Sequence, residues 1–128
     1  MTLPDIQATN LIGTNPGLGV VLVTIDSEAN GLALARQLVE TQLAACVSLT
    51  PIQSIYRWQG QVQSEPEWQL VIKTNLNHLA ELTQVITQHH PYDLPEIIAL
   101  PVIAGFAPYL NWVQQATEGG GNPRVAPA

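Results

Sequence analysis

Two adjacent histidines, His89 and His90, stand immediately before Pro91 in a stretch that carries further prolines at 95 and 101. A helical pattern runs up to the histidines and a strand pattern follows them. Pro91 ends the helix, because its ring clashes with the preceding turn and it has no N–H to donate. The stiff connection from Pro91 to Pro95 therefore holds both imidazoles near a helix C-terminus. Such a site can ligate a metal ion, take up protons or hold an anion, and neutral imidazole suits copper, nickel and zinc. Two ligands result only if both rings turn to one point. Neighbours on a helix point about 100° apart, so the rival assignment has His90 bonded to helix carbonyls or a carboxylate and His89 solvated. His78, alone on the same helix, is expected at the surface.

Two further side chains carry chemistry. Cys46 is the only cysteine, which excludes an internal disulfide and a Cys-rich zinc site and fits a reducing, cytoplasmic compartment. It follows two alanines at a strand start, where an inert core thiol is the common outcome and a soft Cu(I) ligand the alternative. Lys73 ends a strand whose polar face also carries Glu65 and Glu67, so it is either one half of a cross-strand ion pair or an anion-holding group. The carboxylates lack the spacing of a calcium loop. Gly17-Leu18-Gly19 precedes a strand rather than following one, which is not a dinucleotide fingerprint. No nucleophile motif or acid–base pair is arranged in the chain, and an enzyme is not expected.

The elements that must position these groups follow from periodicity. Residues 1–17 are expected to form a flexible arm, 18–117 the domain and 118–128 a disordered tail. Val20 to Ile25 is an apolar, β-branched run that suits a covered strand. Asp26 or Ser27 can cap the next helix, whose stripe is Leu32, Ala35, Leu38, Val39 and Leu43. Val47 to Trp58 follows as a strand, which Pro51 makes either an edge or a bulge. Trp58-Gln59-Gly60-Gln61 is a hairpin turn, and Val62, Trp68, Leu70 and Ile72 share one face of the returning strand. Asn75 can cap a second helix packed through Leu76, Leu79, Leu82 and Ile86. Glu96 to Ile103 is the last strand, and Pro108 opens a helix packed through Tyr109, Trp112, Val113 and Ala116. The order βαββαβ plus a C-terminal helix is the α+β, ferredoxin-like split βαβ arrangement, with the main helices on one sheet face.

Composition bounds the partners. Charged residues make up 11% of the 128 residues, against about 25% in ordinary soluble domains, so part of the surface is expected to be buried in an oligomer. A net charge of −6 without any basic patch disfavours nucleic acid and anionic membranes. The first residues have no basic n-region or apolar core, so no signal peptide is expected. No apolar run approaches the roughly 20 residues of a spanning helix. The apolar second face of the sheet, with Trp58 and Trp68 on a long hairpin, points the same way as the charge, to self-association.

Four segments in order, Leu43–Val47, Ser54–Gly60, Ile72–Thr74 and His90–Ile98, resemble the CutA family of divalent-cation tolerance proteins. The resemblance covers residues 19–116. It implies a ferredoxin-like protomer in a homotrimer like that of the PII signalling proteins, and a role in divalent metal tolerance, chiefly copper. In copper-binding bacterial members the proposed ligands are a first-strand cysteine and the two histidines before Pro-Tyr. His89 and His90 match that pair, while Val23 stands at the cysteine position. The family also implies a cleft between one subunit's hairpin and the next subunit's proline turn, where Lys73, Tyr56, Tyr92 and Glu96 would bind a small polar ligand. Two functions are therefore expected in competition: copper or another divalent metal held by His89 and His90, or a PII-like sensor or scaffold with an interfacial ligand pocket and no metal role.

Overall fold

The computed structural model describes residues 11–119. A four-stranded antiparallel sheet has the order β3-β4-β2-β5, formed by β2 (Leu18–Ile25), β3 (Cys46–Trp58), β4 (Gln61–Asn75) and β5 (Ile97–Pro101). A short β1 (Ile12–Gly13) pairs separately with β6 (Gly105–Phe106). Part of the segment expected to be a loose arm is thus tied down. Residues 1–10 and 120–128, the greater part of both expected tails, lie outside the described residues.

Helix α1 (Glu28–Glu40) starts where Ser27 Oγ accepts the Asn30 N–H at 3.1 Å. It buries Gly31, Leu34, Ala35 and Leu38, but Leu32 and Val39 face outward. The expected stripe was rotated because Leu34 faces the sheet and Leu43 is buried beyond the helix end. Helix α2 (Leu79–His89) follows a 3-10 turn over Leu76–His78 that Asn75 caps through the Asn77 N–H. Helix α3 (Ala107–Ala116) packs through Leu110 and Val113 against Leu18 and Ala45. Tyr109 and Trp112, expected on its packing face, are exposed instead and lie against each other with ring centroids 5.4 Å apart.

The main core lies between one sheet face and the helices α1 and α2, with Val21, Val23, Ile25, Leu70, Ile72, Leu82 and Ile86 fully enclosed. Alternation in the paired strands puts Val20, Leu22, Val71, Ile98, Leu100 and Cys46 on the opposite face. Ile98 and Leu100 are about half exposed there.

Pro51 is accommodated because β3 is the edge strand of the sheet, and the β3–β4 register runs unbroken from Cys46↔Lys73 to Trp58↔Gln61. Gln59 and Gly60 at the turn both have positive φ, 52° and 79°, the pairing that matches the twist of a tight hairpin. Beyond Ile25↔Trp68, the last β2–β4 pair, β3 and β4 continue alone as a projecting hairpin. Ile55, Trp58 and Val62 are exposed on it, whereas Trp68 packs against the main core of its own protomer.

Candidate functional site

The hairpin leaves the sheet beside the proline turn that joins α2 to β5, and a groove of about 640 Å³ opens between them. Thr24 at the end of β2, Ser54 to Trp58 of β3, Glu67 of β4, and Tyr92, Asp93, Leu94 and Glu96 of the turn line it. A volume in this range is that of a small-molecule pocket.

The turn is held by His90. Its Nδ1 accepts the Tyr92 N–H at 3.0 Å, so that nitrogen carries the lone pair, and its Nε2–H donates to the Thr24 carbonyl at 2.6 Å. The two rings also lie against each other, 4.9 Å between centroids. His90 thereby ties the first residues of the turn to the neighbouring strand and aims the Tyr92 side chain into the groove. The Tyr92 hydroxyl donates to Glu67 Oε2 at 3.0 Å. Burial first, then the hydrogen bond and negative charge of Glu67, push the Tyr92 phenol up to about 12, with Asp26 and Tyr56 adding to the effect. The phenol is a standing donor at neutral pH. Glu67 is only 8% exposed.

The histidine pair does not converge. His89 Nδ1–H donates back to the Val85 carbonyl of its own helix at 2.9 Å, leaving an exposed Nε2, while both nitrogens of His90 are engaged. Among the described residues no three His, Cys, Asp or Glu side chains gather in a metal-ligating set. Val23, at the family's cysteine position, is fully buried in the core. The residues present therefore do not fit a copper site built on both histidines. Cys46 is a half-buried free thiol on the open sheet face, paired opposite Lys73. His78 is not a free surface residue, because its Nε2 bonds the Thr117 carbonyl at the end of α3.

Tyr56, Tyr92 and Glu96 line one groove, but Lys73 does not join them within the protomer. It stands six residues beyond Glu67 on the same face of β4, about 20 Å along a strand. That separation puts Lys73 out of reach of the Glu67 carboxylate on its own strand face. The groove is acidic instead: Glu67, Asp93 and Glu96 against Arg57, whose Nη1 donates to the Gly60 carbonyl at 3.4 Å. Glu67 and Thr24 were not singled out for this site from sequence. Glu67 sits on an alternating polar face, and only the fold brings Tyr92 across to it.

A family model described as CutA1 divalent ion tolerance protein matches residues 19–116. The chloroplastic CutA of Arabidopsis thaliana is 44% identical over 100 residues, 77% of this chain and 55% of that protein, so the chain spans little more than half that relative's length. The divalent-cation tolerance protein CutA of Thermus thermophilus is 43% identical over 77% of this chain and 96% of its own length. The solved CutA of Synechococcus elongatus superimposes with a TM-score of 0.79 at 40% identity, covering 83% of this chain and 95% of that one. The same Synechococcus protein has been solved complexed with a Bis-Tris molecule. Sequence match and fold agree, and the chain belongs to the CutA1 divalent ion tolerance family.

Proposed function

We propose that this protein serves divalent-cation tolerance as a cytoplasmic, non-enzymatic homotrimer whose groove at Tyr92 and Glu67 binds a small ligand. The observation that carries the reading is the Tyr92–Glu67 pair: a buried carboxylate and a phenol that keeps its proton, both turned into a pocket-sized groove. His90 is spent on building that groove. The Synechococcus relative's complex with Bis-Tris supports a fold that accommodates a small organic molecule. Trimer formation is supported by the open apolar sheet face, where Ile98 and Leu100 are about half exposed. The free thiol of Cys46 is in keeping with a reducing compartment. No helix among the described residues is long and apolar enough to cross a membrane.

One observation favours a second reading. His89 has its Nδ1–H fixed by a carbonyl and its Nε2 exposed, the tautomer a metal ligand needs. One such nitrogen per protomer would give a weak copper contact that leaves His90 aside. Calorimetric titration of the full chain with Bis-Tris, and separately with Cu(II), tests both readings. The groove reading predicts Bis-Tris heat that is lost in Glu67→Gln. Tight Cu(II) binding abolished by His90→Ala, with no Bis-Tris heat, would replace it with the histidine-pair site.

A further inference from the structure

Glu67 poses a problem of charge. It is more than nine-tenths buried, and the hydrogen bond it accepts among the described residues comes from a neutral phenol. No fully enclosed polar side-chain atom of the described residues lacks a partner, and Glu67 itself lines the groove. A phenol orients a carboxylate without cancelling its charge, and a buried carboxylate with no counter-charge is costly. Arg57, the basic residue of the lining, donates to the Gly60 carbonyl at the hairpin tip. Asp93 and Glu96 add two more carboxylates to the lining, so an anionic ligand is repelled.

The remaining walls narrow the class further. Tyr56, Trp58 and Tyr92 supply three aromatic rings, and aromatic faces attract cations that carry little hydration of their own. A bare metal ion would gain nothing from those rings, and the described residues gather no three ligands for it. Thr24 and Ser54 are the hydroxyl-bearing residues of the same lining. We infer that the groove takes a small organic cation, an ammonium with Glu67 as its counter-ion and Tyr56, Trp58 and Tyr92 as its aromatic walls. The inference rests on the groove reading above and assigns its ligand class.

Three probes of nearly one shape separate the class from the site: choline, its neutral carbon analogue 3,3-dimethylbutan-1-ol, and anionic 3,3-dimethylbutyrate. Each is titrated into the full chain while the indole N–H resonances of Trp58 and Trp112 are followed. Trp112 lies on α3, away from the groove, and serves as the internal control. Choline should shift Trp58 saturably and leave Trp112 still, with an affinity at least about tenfold above the neutral analogue. Glu67→Gln should erase that preference. If this variant does not fold, Tyr56→Leu, at an exposed position, should weaken choline more than the neutral analogue. Equal or tighter binding of the neutral or anionic probe would overturn the cation class and leave the groove standing, as when a partner subunit supplies the counter-charge. Failure of all three probes to move Trp58 would overturn the cation class, and absence of Bis-Tris heat as well would overturn the groove reading.

Discussion

Across 25 positions of sequence, the Tyr92 hydroxyl donates a 3.0 Å hydrogen bond to the Glu67 carboxylate. The bond joins the proline turn to the root of the hairpin. It gives Glu67 a partner in a place where water reaches it poorly, and it raises the energy needed to ionise the phenol.

The first prediction concerns alkaline stability. The folded protein keeps the Tyr92 proton up to about 12, while an unfolded chain releases it near the ordinary value of 10.0. Between those values the unfolded state binds fewer protons, so stability from this group is complete below about pH 10 and is lost as pH climbs toward 12. Tyr92→Phe should destabilise by about 1–2 kcal/mol at neutral pH through loss of the bond to a charged acceptor. The gap between wild type and variant in urea melts should narrow from near pH 8 to near pH 11.5. A gap that stays constant would remove the proton from the account.

His90 is a positioning residue. His90→Ala removes the bonds to Thr24 and Tyr92 and the ring contact, which should cost about 1–3 kcal/mol. Bis-Tris binding should weaken with it, because Tyr92 is no longer aimed at Glu67, while Cu(II) affinity should be unchanged. A drop in Cu(II) affinity with intact stability would point to a ligand role instead.

Assembly should depend on the open sheet face. Ile98→Asp places a charge at a half-exposed position of that face without touching the core. Sedimentation should show wild type at three times the chain mass and the variant at one, with far-UV circular dichroism preserved. A monomeric wild type would refute the trimer.

Gly19 tests the packing of β2. A Cβ there would lie 2.5 Å from Leu76 Cδ2 and 2.6 Å from its Cγ, so the whole Leu76 side chain must move. Gly19→Ala should lower stability by about 1–3 kcal/mol, measured by chemical denaturation. A neutral or stabilising result would mean that Leu76 repacks freely.

Local pattern was enough for the four-stranded core but not for the β1–β6 pair, because the order of the main elements, the Gln59-Gly60 turn and the Asn75 cap are written in neighbouring residues. It was not enough to orient amphipathic pieces with apolar residues on two sides. In α3, Tyr109 and Trp112 compete with Leu110 and Val113, and only the positions of Leu18 and Ala45 decide between them. The histidines show the same limit. Their adjacency suggested a shared ligand, but helix geometry sends His89 back to Val85 while His90 reaches Thr24, 66 positions away. Glu67 and Lys73 share a strand face, but six residues of strand rise keep them apart, and Glu67 meets Tyr92 instead. Groove membership is a property of chain reversal and was legible only through the family resemblance.

Crystals grown with both Bis-Tris and Cu(II), with data collected at the copper absorption edge, decide between the groove and the histidine pair. Bis-Tris density should fill the groove with its nitrogen facing Glu67, and His90 should stay bonded to Thr24 and Tyr92. An anomalous copper peak shared by His89 and His90, with His90 turned away from Thr24 and the groove empty, would contradict the groove reading.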